Sequence, residues 1–435
     1  MESVKFVDLF AGIGGIRLGL NAGLRQRGLS SQCVFTSEIK PHAVSVLRAN
    51  YPSEAIHGDI KSTHAAALPD FQVLLAGFPC QAFSYAGKRL GFQDTRGTLF
   101  FEVERILKAK HPFSFILENV EGLVTHDRQS PGARMGKTLA TILENLRLLG
   151  YLVSWRVLNA AHFGLPQERK RIYIVGTLAE TVSLHDFPVR TARLRDVLES
   201  GLPTDASDFV RRLLTHYAPE QLYGKSIKDK RGGRDNIHIW DIELKGPLSP
   251  EQKCLLSSML TERRKKKWAA QHGIDWMDGM PLTVEMIREF FPHAHLEDML
   301  LDLARKGYLT LEYPKARRPI TVAGATRYVR QQDSSKAPGY NIVAGKLSFP
   351  ISKILDPAGL APTLVATDMA RLYVVDGDGL RPLSLREGLR LFGYPDSFRF
   401  PVGLRDGYDL LGNTVAVPVV AAIAERLADV LIRHL

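Results

Sequence analysis

The sequence predicts an α/β fold in which a mostly parallel sheet carries helices on both faces. From Val4 to Gly176, short apolar runs alternate with segments of helical periodicity, which is the pattern of repeated βαβ units. A hydrophobic content of 45% over 435 residues is enough to build a sizeable core. Ligands of such sheets bind beyond the carboxyl ends of the strands. Side chains suited to chemistry stand at four of these predicted ends: Asp8, Glu38, Cys80 and Glu118.

The elements follow one another in a regular order through the first part of the chain. The predicted strands are "VKFVDLF", "CVFTSE", "VLLAGF", "SFILENV" and "RIYIVG". The predicted helices between them are "HAVSVLRANY", "LFFEVERILKAK" and "TLATILENLRLLG". From about Pro362 an ordered pattern resumes, and "GNTVAVPVVAAIAERLADVLI" suits a closing helix packed on the first sheet.

The segment from residue 181 to 360 has a different character. It is irregular and polar, with few clear strand alternations. The stretches "TVEMIREFF" and "LEDMLLDLARKGYLTLEY" predict two helices followed by a strand. These elements fit a winged-helix-like unit or, more simply, a helical hairpin.

Composition limits the class of protein. Lys and Arg outnumber Asp and Glu by 57 to 46, and the net charge of +11 favours a polyanionic partner such as nucleic acid. Charge alone fits a basic enzyme of small molecules equally well. The start "MESVKFVDLF" lacks a signal-peptide pattern, and no window approaches the ~18 apolar residues of a membrane span, so we expect a cytoplasmic protein. Cys33, Cys80 and Cys254 show no paired spacing, so neither disulfides nor a metal site is expected.

The stretch "FVDLFAGIGGIRLGL" predicts a strand, a glycine turn and the start of a helix. Arg17 stands where a dinucleotide fold has its third glycine, and no Lys-Ser/Thr pair follows, so neither phosphate-binding loop is indicated. The glycines of the turn let a ligand approach the backbone closely. Glu38 could accept hydrogen bonds from two ribose hydroxyls, and Asp59 could bind the adenine amino group. These features predict an adenosine ligand without phosphate, such as S-adenosylmethionine, although each carboxylate taken singly also fits a helix cap or turn.

Cys80, in "GFPCQAFS", stands at a strand end among turn residues. One reaction that a cysteine nucleophile could serve is methylation at C5 of cytosine. That reaction requires a carbon nucleophile, which the ring supplies only after another nucleophile has added at C6. A cysteine thiolate that adds and later leaves meets this need. Glu118, in "LENVEG", could hold the ring at N3 as a carboxylic acid. Arg169 and Arg171, two apart on a strand, would point to one face and stabilise the base oxygen and the thiolate.

Six motifs in a fixed order resemble those of the DNA cytosine-5 methyltransferases: "DLFAGIGG", "GFPCQAFS", "ENV", "QERKRIYIVG", "RPLSLREGLRLFGYPDSF" and "GNTVAVPVV". The resemblance covers residues 1–180 and about 360–435. It leaves residues 181–359 unmatched, where that family has its variable target-recognition domain. The resemblance thus implies a Rossmann-like, S-adenosylmethionine-dependent catalytic domain formed by 1–180 and 360–435, and a separate irregular target-recognition domain at 181–359.

The resemblance also assigns roles to individual residues. It makes Cys80 the nucleophile and Glu118 the ring-holding acid, aided by Arg169 and Arg171. The implied cofactor contacts are Phe10, Gly12, Ile13, Gly14, Glu38, Ile39, Asp59, Ile60, Pro79, Asn413 and Thr414. The implied DNA contacts are Ser84, Lys88, Arg89 and Arg96 on a mobile catalytic loop, and Thr363, in "PTLVAT", at the backbone of the flipped nucleotide. Position 39 departs from the family, which often has a bulky aromatic residue there.

The function that the resemblance implies is sequence-specific methylation of a flipped cytosine in double-stranded DNA. We expect a monomer that belongs to a restriction-modification system, with the cognate endonuclease acting separately. A branch of the family that methylates transfer RNA has a short middle segment and a doubled proline before its cysteine. Here Phe78 and Pro79 precede the cysteine and the middle is long, which favours DNA. A catalytically silent DNA-binding relative is a second alternative, but Cys80 and Glu118 are both present.

Overall fold

The computed structural model describes residues 3–78, 99–128, 130, 132, 134–227, 235–322, 325–343 and 349–434. The chain divides into two compact units. The first unit consists of Met1–Ser200, Asp356–Ala370 and Leu383–Leu435, and the second of Gly201–Leu355 and Arg371–Pro382.

Strands and helices alternate through most of the first unit, whereas the second unit combines a run of helices with several short strands. The strands are β1 (Val4–Leu9), β2 (Ser31–Ser37), β3 (Ile56–His57), β4 (Val73–Gly77), β5 (Ser114–Val120), β6 (Leu152–Asn159), β7 (Lys170–Thr177), β8 (Ser226–Ile227), β9 (Asn236–Ile237), β10 (Leu309–Glu312), β11 (Lys315–Val322), β12 (Ala325–Gln332), β13 (Gly339–Ile342), β14 (Lys353–Ile354), β15 (Leu372–Asp376) and β16 (Gly379–Pro382). The helices are α1 (Gly15–Gln26), α2 (Pro41–Asn50), α3 (Leu99–Lys110), α4 (Lys137–Leu148), α5 (Asp208–His216), α6 (Pro250–Glu262), α7 (Lys266–His272), α8 (Val284–Phe290), α9 (Leu296–Arg305), α10 (Leu385–Leu391), α11 (Leu404–Gly412) and α12 (Val417–His434).

The first unit contains a seven-stranded sheet in the order β3-β2-β1-β4-β5-β7-β6. The strands from β3 to β5 pair in parallel, whereas β7 runs antiparallel to both β5 and β6. The predicted α/β class with a mostly parallel sheet is therefore confirmed. The sequence pattern did not predict β6, whose residues are mostly only half-buried and so lack a continuous apolar run.

Both faces of this sheet are covered, as expected for parallel strands joined by helices. Phe6 and Val73 point to the face on which α1 and α12 pack. The next residue of each strand, Val7 and Leu74, points to the opposite face, where the buried residues of α3 and α4 lie. The alternation of side chains along each strand thus builds two cores, one on each side of one sheet.

A row of glycines lets α1 and α12 approach closely. A Cβ atom added at Gly19 would lie 2.4 Å from Cβ of Val420, and one added at Gly23 would lie 2.4 Å from the backbone oxygen of Ala421. Because real Cβ atoms do not approach other atoms so closely, glycine is required on this face of α1. The predicted closing helix, α12, therefore packs against α1 at backbone distance, and its apolar side chains share a core with the first sheet.

The second unit has its own core, formed around large side chains such as Trp240 and Trp268. It contains a five-stranded sheet in the order β16-β15-β14-β8-β9 and two separate pairs, β10 with β13 and β11 with β12. The two helices and the strand predicted in this region are α8, α9 and β10. The unit has more helices and strands than the sequence pattern indicated. The pattern did not predict them because the apolar residues of the unit are spread over many short elements.

Two segments lie outside the predicted division at residues 180 and 360. Residues 181–200 belong to the first unit, where Val182 and Leu184 are buried in the core beneath α12. Residues 371–382 belong to the second unit, because β15 pairs with β14 and β16. Within the described part of the chain, no helix is long and apolar enough to cross a membrane.

The glycine row provides a test of the packing of α1. Alanine is a better helix former than glycine by about 1 kcal/mol, so propensity alone predicts that Gly23→Ala stabilises the protein. We expect the opposite, a lower midpoint of thermal unfolding, because the added methyl group has no space beside Ala421. Gln26→Ala, at an exposed position of the same helix, is the control and should change the midpoint little. An increased midpoint for Gly23→Ala would contradict this account of the helix contact.

Candidate active site

A cavity of about 470 Å³ lies at the carboxyl ends of the parallel strands of the first unit. It brings together most of the residues that the sequence predicted for the site. These residues are Phe10, Gly12, Ile13, Glu38, Ile39, Asp59, Ile60, Glu118, Arg169, Arg171 and Asn413. The predicted Pro79, Cys80, Ser84, Lys88, Arg89 and Arg96 lie outside the described residues, but Phe78, which directly precedes Pro79, lines the cavity.

The glycine turn after β1 has a strongly curved backbone. Gly12 and Gly14 have φ values of 55° and 83°, and Phe10 has a φ of 53°, a region that non-glycine residues rarely adopt. The positive φ of Gly12 favours glycine at this position. A Cβ atom there would meet nothing within 4 Å, so the space beside the backbone is open. Phe10 stores some backbone strain at the edge of the cavity.

Backbone donors orient the Glu38 carboxylate. One oxygen accepts a hydrogen bond of 2.7 Å from the backbone N–H of Gly12. The other accepts bonds of 2.8 Å each from the N–H groups of Ile39 and Lys40. A carboxylate has about four acceptor positions, so these bonds leave about one for a ligand. Glu38 could therefore accept fewer direct hydrogen bonds from ribose hydroxyls than the two that the sequence suggested.

Three other residues at this end of the cavity, Asp59, Ile60 and Ile39, combine a carboxylate with apolar side chains, which suits a purine nucleoside. Asp59 accepts a hydrogen bond of 3.0 Å from the N–H of Lys61 and caps a short helical turn. Ile60 is buried, whereas Ile39 leaves 69% of its surface exposed. An apolar side chain exposed beside the cavity can cover the face of a planar ring, although with less contact area than an aromatic side chain.

Glu118, on β5, is an acid with only 11% of its side chain exposed. Nε of Arg171 lies 3.3 Å from one of its carboxylate oxygens. Burial raises the pKa of Glu118 above its ordinary value, and the positive charges of Arg171 and Arg169 oppose this effect only in part. The carboxyl group therefore retains its proton to a higher pH than a carboxyl group in water. A protonated carboxyl can donate a hydrogen bond or a proton to a ring nitrogen.

The two predicted arginines contact different groups. Arg169 directs its buried guanidinium to three backbone carbonyls. Nη1 donates to Leu364 at 3.1 Å, and Nη2 donates to Gly412 at 3.4 Å and to Thr414 at 2.6 Å. The structure thus places Nε of Arg171 beside the carboxyl group of Glu118, whereas these hydrogen bonds of Arg169 go to backbone carbonyls. Arg169 instead fixes two later segments of the chain against the start of β7.

Three other predicted residues are occupied within the protein. Gly14 caps α1 and does not line the cavity. Thr414 is buried, and its hydroxyl lies 2.6 Å from that of Tyr394. The hydroxyl of Thr363 donates to the backbone oxygen of Glu168 at 2.6 Å. Because the hydroxyl of Thr363 already donates its proton, it can offer a ligand only its lone pairs unless it changes partner.

Sequence analysis did not assign a role to Asn119, the second residue of "ENV". Its Nδ2 donates to the backbone oxygen of Phe78 at 3.1 Å, and its Oδ1 accepts from the N–H of Val120 at 2.9 Å. Asn119 therefore fixes the end of β4 directly before Pro79. A polar residue in a strand that is otherwise buried was the available signal.

A buried group of charges lies beneath the glycine turn. Arg17 stacks on the ring of Tyr51 at 3.8 Å and donates hydrogen bonds of 2.8 and 2.6 Å to the two carboxylate oxygens of Glu54. Asp8 is also buried, and neither of its carboxylate oxygens has a hydrogen-bond donor among the described residues. Burial raises the pKa of Asp8 to about 7, with Arg17 lowering it and the charges of Glu38 and Glu54 adding to the rise. No cluster of three or more metal-binding side chains occurs in the described ranges.

Comparisons with known proteins show the family of this chain. The family model for C-5 cytosine-specific DNA methylase matches residues 4–429. The Type II methyltransferase M.NlaIV of Neisseria lactamica is 58% identical over 99% of this chain and 100% of its own length. M.NgoBV of Neisseria gonorrhoeae is 56% identical over the same shares. The crystal structure of the S. pombe Dnmt2 methyltransferase matches with a TM-score of 0.53 and 17% identity, covering 98% of this chain and 99% of that one, and so supports the fold.

Asp8 makes the stability of the protein depend on pH. Between about pH 4 and pH 7 the unfolded chain ionises Asp8 while the folded chain keeps it protonated, so the free energy of unfolding should fall as the pH rises through this window. The effect is on the order of 1.4 kcal/mol for each unit of pKa difference. Asp8→Asn should therefore reduce the fall in the thermal midpoint between pH 5 and pH 8.

The control for this prediction is Asp70→Asn, which alters a carboxylate that is 97% exposed in the first unit and whose partner is Lys110 rather than a histidine. This variant should retain the pH dependence of the wild type. Equal pH slopes for the wild type and Asp8→Asn would show that Asp8 is not protonated in the folded state near neutral pH.

Proposed function

Because the chain belongs to the C-5 cytosine-specific DNA methylase family, we propose that it methylates a cytosine flipped out of double-stranded DNA, through a covalent adduct with Cys80. The observation that carries the proposal is that one cavity holds the largely enclosed acid Glu118 with Arg171 together with the oriented carboxylate of Glu38. The first pair suits a cytosine ring, and Glu38 suits a ribose.

The proposed methyl donor is S-adenosylmethionine, which supplies an electrophilic methyl group when it is bound. The residues in the cavity fit its adenosine part. Glu38 retains about one acceptor position for a ribose hydroxyl, and Asp59 is exposed and offers carboxylate oxygens to an amino group. Ile39 and Phe10 provide apolar surface, and the open space beside Gly12 allows close approach to the backbone.

In the proposed mechanism, the thiolate of Cys80 forms a bond to C6 of the cytosine. The electron pair of the C5–C6 double bond moves toward N3 and C5, and Glu118 donates its proton or a hydrogen bond at N3. The raised pKa of Glu118 supports this role, because a carboxylate without a proton could not donate. Arg171 holds Glu118 and contributes positive charge beside the base oxygen. C5 would then form a bond to the methyl group of the bound donor, whose bond from sulfur to that methyl breaks and leaves a neutral thioether. Transfer of the C5 proton to water or another base expels the thiolate from C6. N3 returns its proton to Glu118, which restores the aromatic ring.

We assign Arg169 and Asn119 as positioning residues. Arg169 fixes the turn at Gly412 and Thr414, next to Asn413, which lines the cavity. Asn119 fixes the backbone of Phe78, from which the chain continues into Pro79 and Cys80. Neither side chain needs to contact the reacting atoms, but each holds a segment that does.

The proposed DNA contacts compensate for the cost of base flipping, which is a few kcal/mol. We propose that the loop that carries Cys80 binds DNA phosphates through Ser84, Lys88, Arg89 and Arg96. These contacts would make binding salt-dependent, because each neutralised phosphate releases counterions. Thr363 would contact the flipped nucleotide through its backbone or by exchanging the hydrogen bond of its hydroxyl to Glu168.

The remaining parts of the proposal concern partners. We propose that the second unit selects the target sequence and that the enzyme acts as a monomer in the cytoplasm. The Type II methyltransferases named above support a role in a restriction-modification system, with an endonuclease that acts separately. The match to a DNA methylase model over residues 4–429 supports DNA rather than RNA as the substrate.

Trapping the covalent adduct tests the mechanism. A target cytosine that carries fluorine at C5 should remain joined to Cys80 when S-adenosylmethionine is present, because fluorine cannot leave as a cation. We expect a protein–DNA species on denaturing gels for the wild type and none for Cys80→Ser. Glu118→Gln should form the adduct at least 100-fold more slowly, in the range of ~10²–10⁴ for loss of a general acid.

Two cysteine variants serve as controls for the trap. Burial raises the pKa of the Cys33 thiol to about 11, whereas Cys254 is exposed, so Cys33→Ser and Cys254→Ser remove one unreactive and one accessible thiol. Both variants should form the adduct as the wild type does. Methylation without a trapped species, or a species that survives Cys80→Ser, would refute the mechanism, and trapping on fluorinated RNA instead of DNA would favour the RNA alternative.

Binding of the methyl donor tests the role of Glu38. In Glu38→Gln, one acceptor oxygen is replaced by an NH₂ group that faces a backbone N–H, so the side chain should lose its orientation. We expect the Kd for S-adenosylmethionine, measured by calorimetry, to rise about 10- to 100-fold, as for a hydrogen bond to a charged group. The exposed Glu289→Gln, in the second unit, should leave this Kd unchanged. An unchanged Kd in Glu38→Gln would remove Glu38 from the cofactor site.

A further inference from the structure

Strands β11 and β12 form a two-stranded antiparallel ribbon in the second unit. From Lys315 to Gln332 the ribbon contains five cationic residues and no Asp or Glu. The cationic residues are Lys315, Arg317, Arg318, Arg327 and Arg330. The single sign of these charges suits a partner with a nucleic acid backbone, and the acids that flank the ribbon, Glu312 and Asp333, lie 3.9 Å from Lys315 and Arg318.

The pairing register divides the ribbon into two faces. Residues directly opposite each other lie on the same face. The pairs Lys315 with Gln332, Arg317 with Arg330, and Pro319 with Tyr328 form one face, which we call the Arg317 face. The pairs Ala316 with Gln331, Arg318 with Val329, and Ile320 with Arg327 form the other, the Arg318 face.

The two faces differ in polarity and exposure. Of the six side chains named for the Arg317 face, all except that of Lys315 are exposed. On the Arg318 face, Ala316, Ile320 and Val329 are half-buried, so apolar side chains interrupt the charges. In a two-stranded ribbon the more polar and exposed face is the one available to a polar partner.

The side chain of Arg317 is held in a defined position. Its guanidinium lies 4.3 Å from the centre of the Tyr328 ring, across the ribbon on the same face. Because the guanidinium already stacks on the tyrosine ring, it has fewer conformations to lose when it binds a partner. Beside it, Arg330 donates a hydrogen bond of 2.9 Å to the backbone oxygen of Trp276 and so fixes the base of the ribbon to the rest of the unit.

We propose that the ribbon lies in the major groove of the target DNA with the Arg317 face toward the base edges. This proposal rests on the proposed function and names the element of the second unit that reads the sequence. The major groove of B-DNA is about 12 Å wide and admits a two-stranded ribbon, and a bidentate arginine is the most common reader of guanine O6 and N7. Arg317 reads a G·C pair, whereas Arg318, on the opposite face, contacts phosphates.

The groove geometry also selects the kind of nucleic acid. A double-stranded RNA helix has a deep and narrow major groove that side chains cannot read. A single strand has no groove and would need stacked bases on aromatic side chains. The ribbon offers arginines with one exposed tyrosine that already stacks on Arg317, which favours duplex DNA.

The test compares Arg317→Lys with Arg318→Lys, which change neighbouring residues of the same type on opposite faces and preserve the charge of each. Bisulfite sequencing of a plasmid library methylated by the wild type first defines the target. The rate kcat/KM is then measured on the target duplex and on duplexes with single G·C pairs replaced. Arg317→Lys should lower the discrimination at one G·C position about tenfold or more, because lysine lacks the planar fork.

Arg318→Lys should retain the discrimination of the wild type, and Arg318→Ala should weaken binding to all duplexes alike and reduce the salt slope by about 1. Unchanged discrimination in Arg317→Lys, or equal losses in both lysine variants, would overturn the proposed reading by the Arg317 face. A wild type that leaves no cytosine protected from bisulfite would instead refute the proposed function. An unchanged near-ultraviolet circular dichroism spectrum in every variant, to which the buried Trp240 and Trp268 of the second unit contribute, verifies that each one is folded.

Discussion

The close contact between α1 and α12 is the constraint on which the site depends. The glycine row on α1 allows the last helix of the chain to lie against the first, so the segment just before α12 is brought to the carboxyl ends of the strands. Asn413 then lines the same cavity as Phe10, although about four hundred residues separate them in sequence. Arg169 completes this closure by binding the carbonyls of Gly412 and Thr414. The cavity is therefore formed from both ends of the chain.

Burial, more than pairing, sets the electrostatics of this cavity. Two acids at strand ends, Asp8 and Glu118, have raised pKa values, and in both cases desolvation is the largest cause. Glu118 retains a partner in Arg171, whereas the nearest arginine to Asp8, Arg17, directs its hydrogen bonds to Glu54. Glu118 thus lies where a substrate ring could accept the proton of its carboxyl group. Asp8 lies beneath the glycine turn, where its raised pKa lowers the stability of the protein at neutral pH.

The second unit is organised differently, and this difference suits a division of labour. Its core of Trp240, Trp268 and aliphatic side chains belongs to it alone, so its surface can vary without altering the sheet of the first unit. The ribbon of β11 and β12 carries charge without contributing a buried strand to that core. An element of this kind can change its side chains at little cost in stability, which is what a surface that determines specificity requires.

The sequence by itself determined the α/β class, the five strands from "VKFVDLF" to "RIYIVG", and the position of Glu38 and Glu118 at strand ends on one edge of the sheet. The strands are local features, because a strand, a turn and a following helix are encoded within some fifteen residues. The repeated βαβ pattern then brings the ends of parallel strands to the same edge. Tertiary structure alone decided the separate roles of Arg169 and Arg171. Arg169 stands one residue before β7, and its partners are 195 to 245 residues away. The period of a strand predicts only which face a side chain points to. Its protonation and its partners depend on desolvation and on distant carbonyl groups that only the folded chain brings together.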